Sequence, residues 1–348
     1  MFRKKGVDIL AITAQKIAEI AGVSRGTVDR ALKNRPGVNP NTKERILKIA
    51  KEYNYKPNLI GKALAYSNHS VKIGVILNSV GNSFFDEIKR GLYSAQNAYS
   101  DYGLEISITE VKGYNVDTII NAIDDLPSDV KNLILTPVDD EKLVNKINEL
   151  TNNGINVVLL SSDVTDSNRL TYVGCDYLKS GKVAGRLVSL LSEGNAKVCI
   201  VTGSSLHKGH RLRVEGVRSI TNNYDNIEIV DVVENNDDND VAYKTMKNVL
   251  NEHNDLDFVC ITAGGVRGTL KAIKESNRKI KVCSFDDTEI TREALKNGEI
   301  LATVCQQPFE QGYNSVKSIF DLVVAKQKIE SYQYTNLYVI VDQSLWLF

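Results

Sequence analysis

The twenty residues Thr13 to Leu32, TAQKIAEIAGVSRGTVDRAL, constrain this chain more than any other stretch. Small and apolar side chains recur at helical spacing through Ile17, Ala18, Ile20 and Ala21, which predicts one buried face. Gly22 supplies the backbone freedom of a tight turn, and Val23 an apolar plug between the helices it joins. Ser24 stands where it can N-cap a second helix with Arg25, Gly26 and Thr27 in its first turn and Arg30 one turn on. Two helices joined in this way form a helix-turn-helix, whose second member can enter a DNA major groove and present its first residues to base edges. An ordinary helical hairpin is the competing reading of the segment taken alone.

Charge favours the nucleic-acid reading. The chain is neutral in total, with 43 Lys and Arg against 43 Asp and Glu. Residues 1–70, however, hold 14 basic and five acidic side chains, whereas the remainder holds 29 and 38. A basic head on an acidic body suits phosphate binding by counterion release, with the body held off the polyanion. At 348 residues, 42% of them hydrophobic, the chain is long enough for two or three cored domains. Its apolar N-terminal run is broken by Asp8, so neither a signal peptide nor a membrane span is expected, and the expected compartment is the cytoplasm. The five cysteines (Cys175, Cys199, Cys260, Cys283, Cys305) have neither zinc spacing nor an even count, and read as reduced core residues.

A third helix follows Arg35-Pro36-Gly37, capped by Asn39 with Pro40 at its first position, and Ile46, Ile49, Ala50 and Tyr53 form its apolar stripe. Pro57 ends that pattern. Asn58 to Ala65 then forms a potential helix of about two turns, too short to persist alone in water, before the polar linker to Ser70.

Thr13 to Ala65 resembles the headpiece and hinge of LacI/GalR-family transcription regulators. The matching elements are T-x-x-x-I-A-x-x-A-G-V-S-x-x-T-V-x-R-x-L, V-x-P-x-T-x-x-R-I, Y-x-P-N and A-L-A. The resemblance implies that Arg25 and Gly26 hold base-reading positions and that Arg30 is a further groove contact. Thr13, Ser24, Thr27, Asn58 and Lys62 complete the implied DNA-binding set. Leu64 matches a leucine that wedges between base pairs from the minor groove, trading unstacking energy for bent DNA. Gly26 has no side chain to read a base, and Asp29 replaces the usual small hydroxyl residue, so direct readout leans on Arg25.

From Val71 onward, apolar runs alternate with amphipathic stretches. Strands are predicted at 71–77, 104–111, 132–136 and 156–160, then at 197–202, 227–233, 258–262, 281–285 and 301–305, with helical patterns between them. Such alternation implies parallel sheets covered on both faces, with ligands outside the carboxyl ends of strands. Two lobes of this kind resemble the family's periplasmic-binding-protein-like effector domain. The expected organisation is therefore an all-α head over residues 1–57, a hinge and linker over 58–70, and a two-lobed, Rossmann-like α/β effector and dimerisation domain over 71–348.

The resemblance also implies a ligand site. Asn82-Ser83-Phe84-Phe85 is similar to the N-x-F-F loop of ribose-type binding proteins, where Phe84 and Phe85 would cover a sugar ring and Asn82 bond a hydroxyl; plain core packing of the two rings is the alternative. Arg213 matches an arginine that holds adjacent sugar oxygens, Asp286 a ligand-binding aspartate at a strand end, and Gln306 a ligand amide near a crossing between lobes. At Leu160-Ser161-Ser162-Asp163 the Asp-Arg pair of ribose binders is missing, so either Ser161 bonds the ligand or Asp163 reaches in; Ser162 and Thr262 complete the expected set. The loop Gly203 to Arg211 crowds His207, Lys208, His210 and Arg211 at a helix start, and is expected to favour an anionic group such as a sugar acid or sugar phosphate.

Enzyme readings lack a constellation to carry them. His207 and His210 have no carboxylate or cysteine partner at metal-ligand spacing, no nucleophile elbow exists, and the acidic run Glu234 to Asp240 lacks the glycine and distal glutamate of a calcium loop. No metal and no cofactor is expected. The expectation is a DNA-binding regulator, a repressor that binds palindromic double-stranded operator DNA as a homodimer under control of a sugar, sugar acid or sugar phosphate. A co-repressor-dependent or activating regulator, or a sugar-binding protein without a regulatory role, are the alternatives.

Overall fold

The computed structural model describes residues 14–32, 35–53, 70–164 and 166–347. The chain divides into two compact units, Met1–His69 and Ser70–Phe348. Thr13, Asn58, Lys62 and Leu64, and with them the expected hinge helix, lie outside the described residues.

In the first unit, helix α1 (Ala14–Ala21) ends at Gly22, whose φ of +61° carries the chain into the turn before α2 (Arg25–Leu32). Helix α3 (Pro40–Glu52) starts with Pro at its first position and the Asn39 side chain accepting the Asn41 N–H at 3.0 Å. All three helices close on Ile17, Ala18, Ala21, Val28, Ala31, Ile46 and Ile49. Ile17, Val28 and Ile46 are fully buried and each contributes about 1.5–3 kcal/mol of apolar burial. Two side chains expected in this core are outside it: Ile20 is 45% and Tyr53 49% exposed. Each stands at the rim of its stripe, where a three-helix unit leaves nothing to cover it.

In the second unit, the inner strands are buried on both faces, as parallel strands between helix layers must be, whereas the edge strands over 104–110 and 227–234 are mostly half-buried or exposed. The first lobe holds β1 (Val71–Leu77), β2 (Leu104–Glu110), β3 (Asn132–Leu135), β4 (Asn156–Leu160), β5 (Thr171–Gly174) and β11 (Tyr332–Tyr334) in the spatial order 11-5-4-3-1-2, all parallel. The second holds β6 (Ala196–Thr202), β7 (Ile227–Glu234), β8 (Phe258–Ile261), β9 (Lys281–Phe285), β10 (Ala302–Cys305) and β12 (Tyr338–Ile340) in the order 12-10-9-8-6-7, with β12 alone antiparallel. β5, β11 and β12 are short and were not legible as alternating or apolar runs. In each sheet the strand order reverses beside the opening strand, β1 or β6, which is where such sheets place ligands.

The chain passes between lobes three times: after β5 into helix α7 (Tyr177–Leu191), after β10 into α12 (Pro308–Val323), and between β11 and β12. Helices α4 (Phe84–Ala98), α5 (Val116–Asp124) and α6 (Glu141–Asn152) belong with α12 to the first lobe. Helices α8 (Lys208–Thr221), α9 (Asn239–Glu252), α10 (Val266–Glu275) and α11 (Glu289–Lys296) belong with α7 to the second. All five cysteines are buried and free. Among the described residues, no helix is long and apolar enough to cross a membrane.

Candidate functional site

Helix α2 carries the candidate DNA-reading residues. Ser24 precedes it, and its hydroxyl accepts the Thr27 N–H at 3.2 Å, satisfying one of the first-turn donors. Val28 and Ala31 bury one side of the helix, leaving Arg25, Gly26 and Arg30 exposed on the other. A Cβ placed on Gly26 would meet only the Ser24 hydroxyl at 3.8 Å and the Arg30 guanidinium at 4.0 Å, so the arginine lies across the space this glycine leaves.

The second unit holds a narrow cleft of about 30 Å³ between its lobes, lined at the carboxyl ends of the strands. From the first lobe come Asn78 after β1, Asn82, Phe84 and Phe85 at the start of α4, Tyr114, Thr136 after β3 and Ser161 after β4. From the second come Tyr177, His207, His210, Arg213, Asp237, Ala263, Gly264 and Asp286, with Gln306 from the crossing. The Asn82 carboxamide oxygen accepts the Phe84 N–H at 3.1 Å, and the Phe84 and Phe85 rings meet edge to face at 5.4 Å. Ser161, Asp237 and Asp286 all take positive φ (+61°, +57° and +70°), backbone strain concentrated at the cleft.

Arg213 is the best-fixed side chain of the cleft, only 2% exposed. It reaches its place because Gly181 on α7 and Gly216 on α8 let the two helix backbones touch; a Cβ on Gly181 would lie 2.2 Å from the Arg213 carbonyl oxygen. Its Nη1 donates to the Thr262 carbonyl at 2.7 Å, and its guanidinium lies 4.0 Å from the Phe285 ring centre and 4.7 Å from that of Tyr177. Nη2 has no protein partner among the described residues. Asn78 Nδ2 and Oδ1, Thr136 Oγ1 and His207 Nδ1 are buried in the same condition. Unmet polar atoms converging on one small cleft are costly unless a polar ligand satisfies them.

Asp286 projects from the end of β9. Burial raises its carboxyl above the usual value, against the pull of Arg213 and of the Gln306 amide, which donates to Oδ1 at 2.7 Å. Gln306 also ties together all three crossings: its Oε1 accepts Cys175 Sγ–H at 3.1 Å, and its carbonyl accepts the Thr335 hydroxyl at 2.8 Å. Asp237 accepts the Gly264 N–H at 2.6 Å and the Tyr114 hydroxyl from the other lobe.

Several expected positions fall elsewhere. Asp163 does not reach the cleft, because Arg169 holds both its oxygens at 2.6 and 2.9 Å. Ser162 is buried and Thr262 turns its hydroxyl to the Val201 carbonyl, so neither lines the cleft; Thr262 contributes by anchoring Arg213. The cationic cradle expected over Gly203 to Arg211 is not assembled. Arg211 pairs with Asp139 and the Ser205 carbonyl, while His207 and His210 are buried in the cleft wall, stacked at 4.2 Å. Burial, together with the neighbouring positive charge, pushes His210 down to about 3 and His207 well below its usual 6.5, so both imidazoles are neutral. Sequence reasoning missed Asn78, Tyr114, Thr136 and Tyr177; Asn78 directly follows a predicted strand and Thr136 ends one, the one signal that marks them. A wider groove lies outside the cleft, where Glu87 pairs with Arg90 and Asp287 with Arg292.

Residues 73–327 match the family described as periplasmic binding protein domain, and residues 13–58 match the bacterial regulatory proteins of the lacI family. The chain belongs to the lacI family. This lacI-family chain is 23% identical to the HTH-type transcriptional regulator MalR of Clostridium butyricum, over 94% of its own length and 96% of MalR. It is 24% identical to the ribose import binding protein RbsB of Haemophilus influenzae, over 82% of its length and 96% of that protein. GanP, a glucose-galactose binding protein from Geobacillus stearothermophilus, shares the fold of the body with a TM-score of 0.73 and 26% identity, over 80% of this chain and 99% of GanP. As a lacI-family member it is a DNA-binding transcriptional regulator with an effector domain of the periplasmic-binding-protein type, and not an enzyme.

Proposed function

We propose that this regulator is a cytoplasmic repressor that binds a two-fold-symmetric operator as a homodimer, and that a sugar or related polyol held between the lobes sets its operator affinity. The observation that carries the effector reading is the set of buried, partnerless polar atoms on Asn78, Thr136, His207 and Arg213. Hydroxyl groups of one small ligand satisfy such a set, and the sugar-binding relatives support that ligand class. Asn82, Phe84, Phe85, Ser161, Asp286 and Gln306 complete the binding residues. Arg25 and Arg30 read base edges from α2, Ser24 and Thr27 lie at its start, and Gly26 leaves the space over which Arg30 extends. Thr13, Asn58, Lys62 and the wedge Leu64 complete the DNA contacts. The working division remains 1–57 for the head, 58–70 for the hinge and 71–348 for the body.

Ligand at the cleft changes the relation of the lobes, and with it the segments that lead to the heads. Operator affinity measured with and without each of a panel of sugars tests this. The expected result is that one sugar changes the affinity by about 5- to 150-fold. A sugar that strengthens operator binding makes the chain a co-repressor-dependent regulator; no change with any bound sugar removes the coupling.

A further inference from the structure

Two histidines in the cleft wall, expected as part of a cationic cradle, have surroundings of a different kind. His210 Nδ1 lies 3.0 Å from the Ser204 nitrogen and 3.3 Å from the Ser204 carbonyl oxygen, and its Nε2 lies 4.0 Å from Asp237 Oδ2. His207 stacks on it at an interplanar angle of 27° and is 6% exposed, with Nδ1 buried and partnerless. Tyr114 from the first lobe and Tyr177 from α7 meet the His207 ring edge to face at 6.2 and 5.8 Å. The pair is built in from behind: a Cβ on Gly203 would strike the His210 ring at 2.3 Å.

The ionised groups around this wall are unbalanced. Asp237 and Asp286 bring two carboxylates, and Arg213 is the one cationic side chain lining the cleft among the described residues. Its Nη1 donates to the Thr262 carbonyl and its Nε lies 3.4 Å from the Ser180 hydroxyl, so part of its fork is already spent within the protein and this one cation faces two carboxylates. Burial keeps both imidazoles uncharged. A ligand anion would join two carboxylates in a poorly solvated space, whereas hydroxyls can donate to Asp286 and Asn78, accept from Asn78 and Arg213, and do either with His210.

We propose that His207 and His210 are specificity-determining residues of the effector site, forming an uncharged polar wall through which the site takes a neutral polyol and rejects its acid or phosphate counterpart. The proposal rests on the cleft being the effector site.

Calorimetry on the full chain tests it, with D-ribose, D-xylose, D-galactose and myo-inositol set against D-ribose 5-phosphate and D-galacturonate. At least one neutral probe is expected to bind, with its anionic counterparts weaker by about 100-fold or more. His207→Phe, which keeps the ring and removes both nitrogens, is expected to weaken the neutral probe by about 10- to 100-fold. His207→Gln, which restores a polar group, is expected to recover most of that loss. Unchanged thermal melting of both variants separates lost recognition from lost folding, and Asp286→Asn reports on the site itself. An anionic probe that binds more tightly than its neutral parent overturns the proposal. So does full affinity in His207→Phe when Asp286→Asn has abolished binding. If Asp286→Asn leaves binding intact, the location of the site is wrong, and a panel in which nothing binds removes both readings.

Discussion

Arg25 and Arg30 on the recognition helix stand in water, whereas Arg213 in the cleft is almost wholly buried between two aromatic rings. The same side chain therefore works in two regimes. On the head, solvent and salt screen each charge, and the helix contributes mainly by spacing the two groups along one face. In the cleft a guanidinium meets few alternatives to its protein partners, so one residue fixes the geometry of a site assembled from both lobes. On the proposed reading, the difference teaches that the head reads by repetition of modest contacts, and the body by a few contacts that cannot be exchanged.

The sharpest way to break that contrast is Arg213→Lys. A lysine cannot hold the Thr262 carbonyl and also fill the gap between the Phe285 and Tyr177 rings, so effector affinity is expected to fall by about 100-fold or more. Operator affinity without effector should stay within about twofold on the same scale. Equal losses on both would show that the cleft and the head are not separable.

Acid should act on the body first. His207 and His210 are held neutral below their usual value of 6.5, so between that pH and about 3 the unfolded chain binds protons that the native cleft refuses. Their contribution is intact above pH 6.5 and is lost as pH falls below it. Asp286 works the other way just above 3.8, because its raised carboxyl takes up a proton more readily in the native state. Denaturant melts from pH 7 to pH 4.5 on the double variant His207→Phe/His210→Phe should show a flatter slope than on the natural chain.

Smaller effects belong to the head. Arg30→Ala should weaken specific operator binding by about 1–3 kcal/mol and leave effector affinity unchanged. A mobility-shift titration over several salt concentrations checks it, and an equal loss on unrelated DNA would make Arg30 a phosphate contact only. Ser24→Ala should cost about 1 kcal/mol of helix stability through the lost cap on Thr27. Faster amide exchange over 25–32 in the full chain, with no change in the body, is the expected readout.

How far the sequence could be read differs between the same two regions. The head is written contiguously: a helical period, a turn glycine and a capping serine are neighbours in the chain, so the interior of α1 and α2 could be placed from spacing alone. The long strands of the body were legible for the same reason, and their ends pointed to Asp286. β5, β11 and β12 were not, since three or four residues carry no period and owe their pairing to distant partners. In the cleft, Asp163 failed because its fate is decided by Arg169, six residues on, and nothing local distinguishes a paired carboxylate from one aimed at a ligand. His207 and His210 looked like solvated cations at a helix start because burial, which reverses their charge state, is a tertiary property.

Gln306 links evolution of ligand choice to evolution of response. It touches Asp286 with its side chain and the other two interlobe crossings through Cys175 and Thr335. A substitution at His207 alters a loop that ends within one lobe, whereas one at Tyr114 or Asp237 also breaks the hydrogen bond between the lobes. On the proposed reading, a change at Gln306 is expected to alter selectivity and the contacts between crossings together. Diversification of this scaffold toward new ligands therefore has an open route through the His207 loop, and a pleiotropic one at the residue where recognition and mechanical transmission share an amide.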